Sequence, residues 1–199
     1  VIEITEPDQL ILTETVSEGS CGTNISCAGA DDAYIYIETT GGTPGYTYFW
    51  LVDLDGDGVY DEDIFSENDS IFDLAPGFYS IFVEDNNLCT DSIIGIEISE
   101  PESLTVTYTY SDIPLCFSSD DGFIDLTVTG GCGNYEYLWT ANNGGDLNGQ
   151  DIQEDLSNLI AGTYTVQVSD ENDCLVQESV EILQNSEIIA EFDESLSIL

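Results

Sequence analysis

Short runs of partly alternating apolar and polar residues, separated by glycine-containing turns, make up most of this chain. Residues 34–39 and 123–128 are rich in β-branched and aromatic residues, which is typical of half-buried strands. A Gly-Gly pair follows each run, at 41–42 and at 130–131, and predicts a turn. Short strands with a turn every 8 to 12 residues or so, and almost no helical periodicity, predict a β-sandwich.

The pattern occurs twice in the same order. Residues 27–50 align without gaps onto 116–139, and 10 of the 24 positions are identical. The shared residues are a Cys, an Asp-Asp pair, a Thr-Gly-Gly turn and a Tyr-x-Tyr-x-Trp strand. A second block, 74–89, aligns onto 159–174 and shares Leu-x2-Gly-x-Tyr followed by Asp-x-Asn-x-Cys. The chain is therefore a tandem duplication.

The edges of the duplicated blocks predict the domain organisation. Two complete repeats are expected, at residues 8–101 and 102–186, each of a size that suits an immunoglobulin-like module. Residues 1–7 end in a hexapeptide resembling the one that closes the first repeat, so they are interpreted as the last strand of a preceding repeat. Residues 187–199 are interpreted as the first strand of a following repeat. The predicted fold class is all-β, with tandem immunoglobulin-like β-sandwich repeats.

Charge excludes several classes of function. The chain has 41 Asp and Glu residues and no Lys, Arg or His, which gives a formal net charge of −41. Binding to nucleic-acid phosphates or to anionic lipid headgroups requires Lys or Arg, so neither nucleic-acid binding nor direct membrane contact is expected. Without His or Lys the usual catalytic bases are missing, and we do not expect an enzyme.

The cysteines predict an oxidising compartment and disulfide bonds. A zinc site lacks its usual spacing, because the chain has no Cys-x2-Cys pair and no His. Two cysteines recur at equivalent positions of both repeats, which predicts one bridge within each repeat. The predicted bridges are Cys27–Cys89 and Cys116–Cys174. Cys21 and Cys132 lie outside the repeated pattern, and the alternatives for them are a bond to each other across the repeats or to a neighbouring chain.

The segment after the first Trp-ended strand has the pattern of a calcium loop. Its acidic residues are Asp53, Asp55, Asp57, Asp61, Glu62 and Asp63. Asp at positions 1, 3, 5 and 9 places alternate carboxylates around one hard cation, Gly58 permits the sharp turn, and the carbonyl of Val59 would point inward. Position 12 is Ile64 instead of Glu, so Glu62 or Asp63 would complete the ligand set. We predict Ca²⁺ here, and none at 141–150 in the second repeat, which has one Asp.

The two tryptophans end equivalent strands. A Trp at the same place in both copies favours a core position, as in other sandwiches. The alternative interpretation is that Trp50, Trp139 and the adjacent Tyr pairs form a platform on which sugars stack.

The ordered set of repeated motifs resembles the SprB repeat of Bacteroidota cell-surface proteins. It runs from Cys-x3-Asp-Asp through Thr-Gly-Gly, Tyr-x-Tyr-x-Trp and Leu-x2-Gly-x-Tyr to Asp-x-Asn-x-Cys. The resemblance implies giant adhesins at the extracellular cell surface, exported by the type IX secretion system and linked to gliding or surface attachment. Cys21, Cys132 and the acidic insertion after Trp50 depart from the shared pattern.

These features together favour a structural and adhesive repeat segment of a large surface adhesin or filament. The expected partners are neighbouring repeats of the same long chain, identical subunits in a filament, and surface glycans. Two alternatives are a calcium-dependent carbohydrate-binding module and an accessory domain of a secreted hydrolase.

Overall fold

The computed structural model describes residues 6–60, 68–111 and 116–190, together with the backbone of 62–64. The described residues form strands, turns and loops. They divide into two compact units. Unit 1 comprises Val1–Leu104 with two loops, Gly130–Asn134 and Asp170–Cys174, and unit 2 comprises Thr105–Thr129, Tyr135–Ser169 and Leu175–Leu199.

Unit 1 is built from two antiparallel sheets. Its described strands are β1 (Ile11–Val16), β2 (Ala33–Thr40), β3 (Thr47–Asp53), β4 (Glu62–Ile64), β5 (Ser70–Leu74), β6 (Gly77–Glu84) and β7 (Thr90–Ile98). One sheet has the strand order β1-β2-β5 and the other has the order β4-β3-β6-β7. Strand β3 pairs along its whole length with β6, from Thr47 opposite Glu84 to Asp53 opposite Phe78.

Unit 2 has the same plan, except that its described strands include no counterpart of β4. Its described strands are β8 (Thr105–Tyr110), β9 (Gly122–Thr129), β10 (Glu136–Asn142), β11 (Leu156–Leu159), β12 (Gly162–Ser169) and β13 (Leu175–Ile182). The sheets have the orders β11-β9-β8 and β10-β12-β13. Strands β12 and β13 form a regular hairpin from Gly162 opposite Ile182 to Ser169 opposite Leu175.

The alternation in the sequence sets which residues enter the core. Strands β2 and β9 have the same sequence of buried and exposed positions, with every second residue of their first six buried. In β2 the buried residues are Ala33, Ile35 and Ile37, and the intervening tyrosines are exposed. This period of two is what a strand with one face on the core requires.

Each unit buries one apolar cluster made from both of its sheets. In unit 1 the cluster includes Ile35 from one sheet and Trp50 and Ile81 from the other. In unit 2 the corresponding residues are Ile124, Trp139 and Val166. Each fully buried side chain of this size contributes about 1.5–3 kcal/mol of transfer free energy. The predicted fold class, all-β with tandem immunoglobulin-like sandwiches, is confirmed.

The predicted repeat boundaries accommodate these strands. Strands β1 to β7 lie within 8–101 and β8 to β13 lie within 102–186. Most of the two flanking segments, 1–7 and 187–199, lies outside the described residues, and residues 187–190 have no regular secondary structure.

Candidate functional site

The repeated Asp-x-Asn-x-Cys motif builds a turn around a buried carboxylate. Asp85 is 2% exposed, and its Oδ1 accepts hydrogen bonds from the backbone N–H groups of Asn87 and Cys89, both at 2.8 Å. Its Oδ2 accepts the N–H of Thr43 at 2.8 Å. These bonds, that of Thr43 foremost, lower the pKa of the Asp85 carboxyl against the opposing effect of burial. Asp85 thereby joins the β6–β7 turn to the Gly-Gly turn that follows β2.

The second repeat contains the same arrangement around Asp170. Its Oδ1 accepts the N–H groups of Asn172 and Cys174 at 2.9 and 3.0 Å, and its Oδ2 accepts that of Cys132 at 2.8 Å. The sequence motif alone does not distinguish this buried carboxylate from the aspartate of an ordinary turn. The available clue was that the same Asp recurs in both copies.

The Gly-Gly turns allow the chain that enters each repeat to pass close by. Gly41 has φ 73° and Gly130 has φ 77°, a region that residues with a side chain rarely adopt. A Cβ on Gly41 would collide with the carbonyl of Gln9, and one on Gly130 would collide with the carbonyl of Ser103. The glycines of this motif are therefore required by both conformation and space.

Both tryptophans are core residues. Trp50 is 1% exposed and Trp139 is 2% exposed. Their indole Nε1–H groups donate to the backbone carbonyls of Asn68 at 3.3 Å and Gln153 at 2.9 Å. The core interpretation is confirmed, and the indoles have no free face on which a sugar could stack.

A tyrosine fixes the loop before β6 and the loop before β12. The hydroxyl of Tyr79 donates to the carbonyl of Ala75 at 2.8 Å, and that of Tyr164 donates to the carbonyl of Ile160 at 2.9 Å. This bond to a residue four positions upstream is the tyrosine corner of immunoglobulin-type sandwiches. Burial raises the pKa of Tyr164. Burial, followed by the negative charge of Glu154, raises the pKa of Tyr137 to about 12.

The acidic loop begins at Asp53, the last residue of β3. Asp53 is 7% exposed, and its two carboxylate oxygens accept the N–H groups of Gly56 at 2.8 Å and Gly58 at 2.9 Å. Asp55 accepts the N–H of Asp57 at 3.1 Å. One carboxylate oxygen from each of the three aspartates lies within 4.8 Å of the other two.

The remaining predicted ligands are described only in part. The carboxylate of Asp57 accepts the N–H of Val59 at 2.7 Å. Asp61 and the side chains of Glu62 and Asp63 lie outside the described residues. The structure therefore brings together Asp53, Asp55 and Asp57 of the predicted set.

The clustered oxygens suit a hard divalent cation. Oxygen ligands of Ca²⁺ lie about 2.3–2.6 Å from the ion, so two of them are at most about 5 Å apart. The spacing within 4.8 Å meets this limit. A carboxylate oxygen that accepts one N–H also keeps a further lone pair for a metal. No basic side chain exists in the sequence to neutralise the three charges.

The corresponding loop of the second repeat is chemically different. Residues 141–150 carry one carboxylate, Asp146. Its oxygen accepts the N–H of Asn148 at 2.9 Å, and its own N–H bonds to the hydroxyl of Tyr164 at 3.3 Å.

The cysteines pair differently from the prediction. The two bridges are Cys27–Cys174, with a Cα–Cα distance of 5.6 Å, and Cys21–Cys132, with a Cα–Cα distance of 5.3 Å. Cys89 and Cys116 are free thiols at exposed positions. The prediction of one bridge inside each repeat, Cys27–Cys89 and Cys116–Cys174, is therefore corrected. For Cys21 and Cys132, the bond to each other is the alternative that the structure contains.

The predicted pairs cannot form because the two cysteines of each pair lie at opposite ends of a strand. The loop that contains Cys27 is held to the end of β7, because Gly29 N–H donates to the Glu100 carboxylate at 2.6 Å. Cys89 precedes β7 at the other end of that strand. A strand of this length spans about 25–30 Å, far beyond the Cα–Cα limit of about 7 Å for a disulfide. In the second repeat, β13 separates Cys174 from the loop of Cys116 in the same way.

Polar contacts accompany the Cys27–Cys174 bridge. The side-chain amide of Asn172 donates to the carbonyl of Ser26 at 2.8 Å and lies 3.1 Å from the sulfur of Cys132. The loop Asp170–Cys174 therefore makes both hydrogen bonds and a covalent bond with the rest of unit 1. Disulfides of this kind fit an extracellular protein.

Two segments of the chain, residues 22–52 and 114–144, match the model of the SprB repeat family. Each of the two segments is thus similar to the SprB repeat over part of its repeat. Each SprB segment contains one cysteine of the repeated pair, a Gly-Gly turn and a buried Trp. The first SprB segment ends immediately before Asp53, so the acidic loop lies outside it.

Solved structures with a similar fold come from several sources. The C-terminal 282-residue fragment of intimin, solved in complex with the intimin-binding domain of the translocated intimin receptor, is 12% identical with a TM-score of 0.44; the match covers 91% of this chain and 65% of that one. The present chain thus spans less than two thirds of the intimin fragment. A marsupial T cell receptor is 10% identical, with a TM-score of 0.44 and coverages of 92% and 76%. Fibronectin(III)-like modules of Clostridium thermocellum CbhA are 11% identical, with a TM-score of 0.34 and coverages of 91% and 100%.

No curated protein matches this chain in sequence. In the part of the chain that the structure describes, there is no helix with the length and apolar character needed to cross a membrane.

Proposed function

We propose that this chain is a structural and adhesive segment of a large secreted cell-surface adhesin or filament. It would serve surface attachment, including the attachment that accompanies gliding motility. The observation that carries the proposal is the structural role of the residues that the two repeats of this chain share. Asp85, Tyr79 and Trp50, like their counterparts in the second repeat, all have their polar atoms bonded within the fold. Repetition has therefore preserved architecture, as a module used in series requires.

The surface charge supports a role in a long array. All 41 ionisable carboxylates lack basic side chains to pair with, so neighbouring modules repel each other wherever they are not bonded. Such repulsion disfavours collapse of one repeat onto another and keeps the protein soluble outside the cell. Neighbouring repeats or identical subunits are the proposed partners, and surface glycans are a further proposed contact.

Antibody fragments against the purified chain test the location and the role together. We expect them to label intact source cells without permeabilisation and to reduce the number of cells retained on glass under flow. Fragments against a cytoplasmic protein of the same cells provide the control. Labelling that requires permeabilised cells would contradict the surface location, and labelling of intact cells without any loss of attachment would contradict the adhesive role.

The two alternative functions require different features. A carbohydrate-binding module would need an exposed aromatic platform, and Trp50 and Trp139 do not supply one because both are buried. A saturable interaction between this chain and a sugar, dependent on calcium, would nevertheless favour that alternative. A catalytic domain on the same polypeptide would favour an accessory domain of a secreted hydrolase.

We further propose that the loop after β3 binds Ca²⁺. Asp53, Asp55 and Asp57 supply three converging carboxylate oxygens, and the short N–H bonds to Asp53 hold the loop in place. The carbonyl of Val59 and the carboxylates of Asp61 and of Glu62 or Asp63 are the proposed remaining ligands. The ion would neutralise charges that otherwise repel one another, and it would stabilise the β3–β4 connection.

A further inference from the structure

The two free cysteines occupy the positions of the two that form the Cys27–Cys174 bridge. Cys116 stands in the second repeat where Cys27 stands in the first, and Cys89 stands in the first where Cys174 stands in the second. The bridge uses the Cys27 position of one repeat and the Cys174 position of the repeat that follows it. Each free cysteine is thus equivalent to one of the two cysteines that are bonded to each other in the same chain.

The backbone around Cys116 has the conformation found around Cys27. The carbonyl of Cys27 accepts the N–H of Ala30 at 3.0 Å, and the carbonyl of Cys116 accepts the N–H of Ser119 at 3.0 Å. Each cysteine therefore begins the same tight turn. Cys116 is exposed and available to react.

The anchoring of the two loops is also equivalent. Gly29 N–H donates to the side chain of Glu100, and Ser118 N–H donates to the side-chain oxygen of Gln184 at 3.1 Å. Glu100 and Gln184 each lie two residues beyond the final strand of their repeat. The loop of Cys116 is therefore fixed at the same end of its sandwich as the loop of Cys27.

Cys89 is held as Cys174 is held. The N–H of Cys89 donates to Asp85 Oδ1 at 2.8 Å, and that of Cys174 donates to Asp170 Oδ1 at 3.0 Å. The reciprocal bonds, from the aspartate N–H to the cysteine carbonyl, are 2.9 and 3.2 Å long. The turn that presents Cys174 to Cys27 is thus already formed around Cys89.

The asparagine beside Cys89 has a different hydrogen-bond partner from the asparagine beside Cys174. Asn172 donates its side-chain N–H to the carbonyl of Ser26, next to Cys27. Asn87, its counterpart beside Cys89, donates instead to the hydroxyl of Thr43 at 2.7 Å. The same amide therefore turns towards a partner loop where one is present and back onto its own repeat where none is.

We propose that Cys89 and Cys116 form bridges of the Cys27–Cys174 kind with other copies of this repeat. Cys116 takes the Cys174-type cysteine of a following repeat, and Cys89 takes the Cys27-type cysteine of a preceding one. The bridge at Cys21–Cys132 does not recur, because the equivalent positions are Tyr110 and Thr43. This inference depends on the internal repeat and not on the adhesive role.

The chemistry is a two-electron oxidation by a small-molecule disulfide. One thiolate attacks the oxidant, expels a thiolate and forms a mixed disulfide; the second thiolate then attacks the protein sulfur and expels the other half of the oxidant. The two protein thiols release two protons and two electrons in total, and the oxidant leaves as two reduced thiols. Oxidised glutathione serves as the oxidant in the experiment.

Two complementary variants of the full chain test the pairing between separate copies. Cys89→Ser keeps the Cys116 thiol, and Cys116→Ser keeps the Cys89 thiol. In a glutathione redox buffer, we expect each variant alone to stay monomeric on a non-reducing gel and their mixture to form a disulfide-linked dimer. Peptide mapping should find Cys116 joined to Cys89. Dimers formed as readily by either variant alone would mean unselective oxidation and would overturn the proposal.

A tandem of two copies tests the pairing within one polypeptide. Asp8 of the second copy follows Asn185 of the first, which keeps the spacing between repeats. Each copy has two free cysteines, so four thiols would titrate in the folded tandem if no further bridge formed, and two would titrate if Cys116 of the first copy pairs with Cys89 of the second. Cys116→Ser in the first copy should leave three titrating thiols.

The two experiments together identify the partner. Pairing in the tandem alone identifies the next repeat of the same chain as the partner, whereas pairing in both experiments shows that separate chains can also pair. Four titrating thiols in the tandem would overturn the proposal.

Discussion

The carboxylate of Asp85 accepts the backbone N–H of Thr43 at 2.8 Å, a bond between residues 42 positions apart in the sequence. It holds together two turns that carry the repeated Thr-Gly-Gly and Asp-x-Asn-x-Cys motifs. The same bond joins Asp170 to the N–H of Cys132 in the second repeat. A pair of sequence motifs that each suggest an isolated turn is thus one structural unit.

Acid should remove the contribution of Asp85. Its folded-state pKa lies below the ordinary value of 3.8, so its ionised form stabilises the fold at neutral pH, and this stabilisation is lost as the pH falls below 3.8 and through the folded pKa. We expect Asp85→Asn to lower the Tm at pH 7, and the difference from wild type to shrink below pH 3.8. Asp125→Asn, which changes an exposed strand carboxylate, is the control and should have little effect at either pH. A difference for Asp85→Asn that does not depend on pH would contradict this account.

Gly41→Ala should destabilise the protein by more than the strain of its backbone alone. The conformation costs about 1–2 kcal/mol for a residue with a side chain, and the collision with the Gln9 carbonyl adds about 1–3 kcal/mol. Gly22→Ala is the matched control, because Gly22 has φ 80° but open space where the Cβ would lie. Chemical denaturation of both variants measures the difference. Equal destabilisation would mean that the entering chain does not pass where the structure places it.

Tyr79→Phe should lower the free energy of unfolding by about 1 kcal/mol, which is the net contribution of one hydrogen bond. The ring can stay in place, but the hydrogen bond to the Ala75 carbonyl is lost. Tyr34→Phe, at an exposed position on β2, should stay within about 0.5 kcal/mol of wild type. Equilibrium unfolding in urea compares the two variants. A free energy of unfolding for Tyr79→Phe equal to that of wild type would show that the tyrosine corner contributes no net stability.

Calcium should raise the Tm through the loop after β3. At fixed ionic strength, a hundredfold excess of calcium over its dissociation constant should stabilise the fold by about 2.7 kcal/mol. Asp55→Ala should abolish this rise, whereas Asp146→Ala, in the corresponding loop of the second repeat, should retain it. Magnesium should substitute poorly, because it demands a tighter octahedral geometry. An equal calcium effect in wild type and Asp55→Ala would reduce the effect to general charge screening.

Peptide mapping without reduction should recover Cys27 joined to Cys174 and Cys21 joined to Cys132. Proteases that cut at Asp or Glu are needed, because the sequence has no Lys or Arg for trypsin. Free-thiol labelling before digestion should mark Cys89 and Cys116. Recovery of a Cys27–Cys89 peptide would restore the bridge within the repeat and contradict the structure.

The fold was predictable from the sequence because its determinants are local and occur twice. Alternation over 34–39 fixes which face of β2 is buried, and the Gly-Gly pair fixes where the strand ends. The aspartates at 53, 55 and 57 were predictable as a cluster for the same reason, since their spacing alone folds them round one point.

The disulfides were not predictable in this way. Equivalence in the two copies shows that Cys27 and Cys89 have repeated roles, but it does not show that a whole strand separates them. That separation follows from the order of strands in the sheet, which no short pattern contains. The buried Asp85 and Asp170 were not predictable for a related reason: among so many carboxylates, only tertiary structure distinguishes the two that each accept three backbone N–H groups in these turns.

The Cys27–Cys174 bond also determines how the chain would respond to tension applied at its two ends. Force would pass along the backbone to Cys27, cross the sulfur atoms and continue from Cys174, so the intervening residues would carry no stretching load. At about 3.5 Å per extended residue, the 147-residue separation corresponds to about 500 Å of contour length that cannot be drawn out while the bond is intact. The disulfide would thus make the protein an almost inextensible tether, and reduction of both bridges, Cys27–Cys174 and Cys21–Cys132, would convert the same chain into a long, extensible one.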